Sequence, residues 1–143
     1  MPIQILWGND LNAQNSFIQE LIEKEVSKEW KEINVTNLNG DDDEQVNQAF
    51  DEILTPPFGD GCRIITLKNN PIFTIKNDYL STKFEKIHES IPTNTYFILQ
   101  NTKNPDSRLK STKFLQKLIK NNLAKEKSFS LQKFGIMKDK EDF

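Results

Sequence analysis

Arg63-Ile64-Ile65-Thr66-Leu67 is the stretch from which the fold can be read, because it is β-branched and nearly continuous in apolar content. That is the composition of a parallel strand buried on both faces. Directly before it stands Leu54-Thr55-Pro56-Pro57-Phe58-Gly59-Asp60-Gly61, where local chemistry forbids both helix and strand. Two prolines lack backbone donors and fix φ, and the residue before a proline is driven out of the helical region, so a helix reaching Leu54 stops near Thr55. Gly59 and Gly61 then let the chain turn. The loop presents Phe58, and an apolar tip on a stiffened loop is either a staple folded into the core or an anchor for a partner's pocket. Local chemistry alone favours the staple.

Upstream, Val46, Ala49, Phe50, Ile53 and Leu54 make the apolar stripe of the helix that feeds this loop. The acidic run Asp41 to Glu44 precedes it, and negative charge favours a helix N-terminus. A cation site there is disfavoured, since consecutive carboxylates at a helix start do not converge as ligands. Glu32 to Val35 reads as a weaker strand. Phe17, Ile18, Leu21, Ile22, Val26 and Trp30 recur at helical spacing behind a cap at Asp10 or Asn12. Ile3 to Trp7 is a short buried strand that ends in the turn Gly8-Asn9-Asp10.

Downstream, Leu80, Phe84, Ile87 and Ile91 predict a helix that Pro92 terminates, and Tyr96 to Leu99 a strand. Asn104-Pro105-Asp106 starts a further helix, with Leu109, Phe114, Leu115, Leu118 and Ile119 on one face and Asn121-Asn122 at its end. Lys127 to Leu131 alternates as an edge strand does, and the tail from Lys138 to Phe143 is charged and expected to fray. Strands of about five residues alternate with crossover helices, which predicts an α/β fold: an open, mostly parallel five-stranded sheet with helices on both faces. The 143 residues fit one domain able to bury a real core.

Composition narrows the function. With 36% hydrophobic and 28% charged residues, the chain is in the globular class. It has no apolar run of membrane-spanning length and no signal-like start, so an intracellular, cytoplasmic protein is expected. One cysteine, Cys62, and one histidine, His88, provide neither a disulfide framework nor a zinc site. Cys62 reads as a small buried hydrophobe and His88 as a surface or core-edge residue of the third helix. Charge is polarised along the chain: residues 1–60 hold three basic and thirteen acidic side chains, a net of −10, and residues 61–143 hold sixteen and eight, a net of +8. Such asymmetry fits either complementary solvated faces or one face that meets nucleic acid.

The turn after the first strand is where an open sheet of this kind takes ligands. A phosphate-binding loop needs a second glycine, a lysine and a hydroxyl there. Ala13, Gln14 and Asn15 occupy those positions. No cofactor and no catalytic residue is therefore expected at Gly8 to Asn15, and a dinucleotide fingerprint fails as well. A phospho-accepting receiver domain is excluded because Lys68-Asn69 stands where an acceptor aspartate is required. Lys110-Ser111-Thr112-Lys113 looks like a scrap of phosphate-binding sequence, but it lies within a helix and reads better as an exposed basic face.

Taken together, four features in order resemble the delta subunit of the bacterial DNA polymerase III clamp loader. They are the strand-turn-helix without its lysine, Asn37-Leu38-Asn39-Gly40-Asp41, the Leu54 to Gly59 loop before Arg63-Ile64-Ile65, and Lys103-Asn104-Pro105-Asp106-Ser107-Arg108-Leu109-Lys110-Ser111-Thr112-Lys113. The resemblance implies an AAA+-like first domain that has lost ATP binding. It implies a role for the loop too: the family inserts an apolar pair, typically Leu-Phe, into a hydrophobic pocket of the ring-shaped sliding clamp, the beta clamp, and levers the ring open. Pro57-Phe58 matches that pair, with proline in place of leucine, and Leu54, Pro56 and Gly59 flank it. The family also carries a small lid domain and a helical collar that joins the other loader subunits. Residues 1–143 would thus be a single N-terminal domain of a longer protein, a monomer that reaches the other subunits only through segments outside it. Two rivals stay open: an NTPase or phosphotransferase using Gly8 to Asn15 with help from Lys110 or Lys113, and a nucleic-acid-binding module meeting phosphates through Lys103, Arg108, Lys110, Lys113, Lys117 and Lys120 with salt-dependent affinity.

Overall fold

The computed structural model describes residues 2–131. Its centre is a five-stranded, entirely parallel sheet of β1 (Ile3–Trp7), β2 (Val35–Asn39), β3 (Arg63–Lys68), β4 (Thr95–Asn101) and β5 (Ala124–Ser128). The strand order is β2-β3-β4-β1-β5, so β3, β4 and β1 are central. These central strands carry the continuous apolar runs, and Ile64, Ile65, Leu67, Phe97, Ile98 and Leu99 are all fully buried. The fold class expected from sequence holds.

Alternation along the strands divides the core into two layers. Ile3, Ile5, Ile65, Leu67, Phe97 and Leu99 face a large cluster beneath α3 (Asp43–Glu52), α4 (Asp78–Ile87) and α5 (Lys110–Lys120). Leu6, Ile64 and Ile98 face the opposite way, onto Ile18 and Ile22 of α1 (Leu11–Glu25). Three helices thus cover one face and one long helix the other. Among the described residues no helix is long and apolar enough to cross a membrane.

Several boundaries differ from the sequence reading. The first helix does not run to Trp30: Val26 caps α1 in an extended conformation, its N–H donating to the Ile22 carbonyl, and Trp30 closes the 3-10 turn Lys28–Trp30. Glu32 to Asn34 is not strand but belongs to the one-turn helix α2 (Lys31–Asn34), and β2 starts at Val35. α4 gives way to a 3-10 turn at His88, whose ring lies edge-on to Phe114 at 5.0 Å while Nδ1 is 2.8 Å from the Glu85 carbonyl. The Asn104-Pro105-Asp106 segment lies ahead of the helix, which begins at Lys110 after a turn at Ser107 and Arg108. β5 begins at Ala124 rather than Lys127. The expectation for residues 138–143 lies outside the described residues.

Helix caps follow local chemistry. Asp10 Oδ1 accepts from the Ala13 amide at 3.0 Å to start α1, and Asp42 Oδ1 accepts from the Glu44 amide at 3.0 Å to start α3. Asp43 and Glu44 occupy the first turn of α3, where the helix dipole favours them.

A candidate partner-binding loop and a filled phosphate turn

The proline loop joins the end of α3 to the start of β3, at the amino ends of the strands. The Thr55 amide donates to the Glu52 carbonyl at 3.1 Å, and its own carbonyl accepts from Thr95 Oγ1 at 2.9 Å. Gly61 bridges Val26, and the Cys62 amide donates to the Glu25 carbonyl at 2.9 Å. Both ends of the loop are therefore fastened to the sheet and to α1.

Its tip is held by residues that nothing in the sequence linked to the loop. Asn34, fully buried at the end of α2, donates from Nδ2 to the Phe58 carbonyl and accepts at Oδ1 from the Phe58 amide, each at 2.8 Å. The Phe58 ring meets Trp30 edge-on, with centroids 5.0 Å apart and planes at 76°. Gly59 has φ +68°, and a Cβ there would lie 2.2 Å from Trp30 Nε1, so only glycine fits the approach. Arg63, also buried, donates to the Ile33 carbonyl at 2.8 Å and pairs with Glu52, which ties α2 to the end of α3.

Despite this fixed backbone, Phe58 is 55% exposed. The core-staple reading is thereby corrected: Phe58 leans on Trp30 and is not part of either core cluster. Leu54 and Pro56 are also exposed, and Pro57 is half-buried. Ile33 adds an exposed aliphatic side chain from α2. No motif pointed to Asn34 or Trp30, because their link to the loop spans 24 or more positions.

Beside the loop, Cys62 is half-buried rather than buried as expected, with Sγ 3.8 Å from Glu25 Oε1. Burial first, then the Glu25 carboxylate, push its thiol pKa up. Burial, then the same carboxylate, also raise the Tyr96 phenol.

At the opposite, carboxyl end of the sheet, the turn after β1 is filled by the protein itself. Gly8 has φ +127°, and a Cβ there would be 1.9 Å from the Phe129 carbonyl oxygen. The turn's amides point to internal acceptors: Gly8 to the Asn101 carbonyl at 3.2 Å, Asp10 to Phe129 at 3.1 Å, Gln14 to Asp10 at 3.2 Å. Gln14, at the position a phosphate loop gives to lysine, is fully buried. Its Nε2 donates to the carbonyls of Gly8 at 2.9 Å and Asn101 at 3.2 Å.

The basic candidates stand on and before α5. Arg108 is exposed but engaged by Asp106, with Nη2 to Oδ2 at 2.9 Å and Nε to Oδ1 at 3.1 Å. Hydrogen bonds from Arg108 hold the Asp106 carboxyl down at about 2. Lys110 is exposed, with Nζ 4.0 Å from Glu85, and Lys113 and Lys117 are exposed on the same helix. Ser111 and Thr112 between them are buried, their hydroxyls donating to the Ile72 carbonyl at 2.6 Å and the Phe73 carbonyl at 3.4 Å. Those hydroxyls serve the core.

Comparison with known proteins agrees with the fold. The Bacillus subtilis DNA clamp loader delta protein (YqeN) superposes with a TM-score of 0.76 at 22% identity, over 92% of this chain and 39% of that one. The chain therefore spans about two fifths of the length of that relative. A search of curated protein sequences gave no match. The model of the family described as DNA polymerase III, delta subunit, matches residues 5–127, and the chain belongs to that family of clamp-loader subunits of DNA replication.

Proposed function

We propose that this chain docks on the ring-shaped sliding clamp through Leu54, Pro56, Pro57, Phe58 and Gly59 and favours the open ring, without hydrolysing ATP itself. The observation that carries the reading is Phe58, 55% exposed on a loop whose backbone is fixed on both sides. An aromatic side chain buried in a partner's pocket can anchor an interface, and a preformed loop lowers the ordering cost of binding. Opening follows from differential affinity. A surface that fits the open or strained ring better than the closed one shifts the equilibrium by that difference and no more.

The absence of hydrolysis is supported by the turn at Gly8. The amides of Gly8, Asp10, Ala13 and Gln14 are engaged internally, and a neutral buried amide, the Gln14 side chain, replaces the cation that phosphates need. Chemical energy would then come from other loader subunits, reached through parts of the protein outside these residues. The setting is the cytoplasm, and the domain by itself is a monomer.

Lys113 and Lys117 support a second, weaker role, contact with DNA phosphates inside an assembled loader. They are exposed and form no ion pair among the described residues. Arg108 and Lys110, near carboxylates, contribute less. The docking reading is tested by comparing clamp binding of the unaltered chain with that of Phe58→Ala.

A further inference from the structure

We infer that Asn34 is a positioning residue of the docking surface, and that the segment from Lys28 to Asn34 makes Phe58 a preformed anchor. The inference rests on the clamp-docking reading above. Asn34 is fully buried, yet both ends of its carboxamide are used on one residue, the amide and carbonyl of Phe58, at 2.8 Å each. A carboxamide carries a donor and an acceptor side by side, so it can hold a peptide as a neighbouring strand would. Alanine can do neither, and aspartate can only accept.

The segment that bears Asn34 is itself anchored. Arg63, 6% exposed, donates to the Ile33 carbonyl and pairs with Glu52 at the end of α3. Trp30 then supplies the wall against which the Phe58 ring rests edge-on. The backbone of Phe58 is thus held by the carboxamide of a buried side chain while the residue stays 55% exposed. Closing the loop for stability alone would not need the aromatic side chain to stay outside.

The test is a double-mutant cycle on binding to the cognate sliding clamp, with the unaltered chain, Asn34→Ala, Phe58→Ala and the double variant, each confirmed folded by circular dichroism. Asn34→Ala is expected to weaken binding at least about fivefold, and to add no further loss once Phe58 is alanine. A loss of equal size with and without Phe58, or no loss, overturns the inference. Phe58→Ala without effect overturns the docking reading and this inference with it, whereas a Phe58 effect with no Asn34 effect overturns the inference alone. If Asn34→Ala does not fold, Asn34→Ser decides, because it keeps a polar side chain that cannot bridge the amide and the carbonyl of Phe58 together. A loss coupled to Phe58 supports the inference, and an additive or absent loss overturns it.

Discussion

The carboxamides of Gln14 and Gln100 meet across 86 positions of sequence, Gln100 Nε2 donating to Gln14 Oε1 at 3.1 Å. With its own donors on Gly8 and Asn101, Gln14 joins the first turn of α1 to the ends of β1 and β4. Replacing it by alanine leaves buried acceptors and a donor unpaired, and unfolding in urea should show a loss of about 1–3 kcal/mol. Gln14→Lys should destabilise at least as much, because it buries an ammonium in place of a neutral amide and removes the acceptor of Gln100 Nε2. Neither the unaltered chain nor Gln14→Lys should bind Mg-ATP in calorimetry.

Ser111→Ala should lower stability by about 1 kcal/mol in the same denaturation experiment, since its buried hydroxyl donates to the Ile72 carbonyl. Any DNA affinity should be unchanged by it. A fall in DNA affinity with stability intact would return Lys110-Ser111-Thr112-Lys113 to the status of a phosphate-binding segment.

The Asp106 carboxyl is held at about 2, against its ordinary 3.8, chiefly by the side-chain hydrogen bond from Arg108. Its folded pKa is depressed, so its contribution to stability is present above the ordinary carboxylate value and is lost as pH falls from about 3.8 through about 2. Carbon-detected NMR titration should place Asp106 at the low end of the aspartates. Arg108→Ala should bring it back toward 3.8.

Where burial and local chemistry coincide, these elements were legible in the sequence. β3 is the clearest case, because a strand covered on both faces cannot hide its apolar run, and the acidic run before α3 marked that helix's start without singling out Asp42 as the cap. β2 and β5 lie at the edges of the sheet, where Asn37, Asn39, Lys125 and Lys127 leave little apolar signal, and both were misplaced by three residues at their start. Val26 and Trp30 keep helical spacing from Ile22, yet the chain leaves the helix at Val26 and a 3-10 turn brings Trp30 to the loop. Periodicity does not separate these two routes.

The site divides in the same way. The prolines and glycines of the loop made it visible as a device that presents Phe58, and the lysine missing from the first turn was visible as well. Whether Phe58 faced inward or outward was not, since that depends on a contact with Asn34 from a distant helix. Long-range polar contacts of this kind leave no periodic trace.

The central claim rests on the exposure of Phe58. Burying a phenylalanine side chain fully is worth about 1.5–3 kcal/mol, so closing a pocket over the part still in solvent contributes roughly half of that. The empty pocket left by truncation adds a further penalty. The decisive measurement is the affinity of the chain for its cognate sliding clamp beside that of Phe58→Ala, with circular dichroism and thermal melts on both. A loss of at least roughly tenfold with an unchanged fold is predicted. Unchanged affinity, with or without a lower melting temperature, would contradict the account.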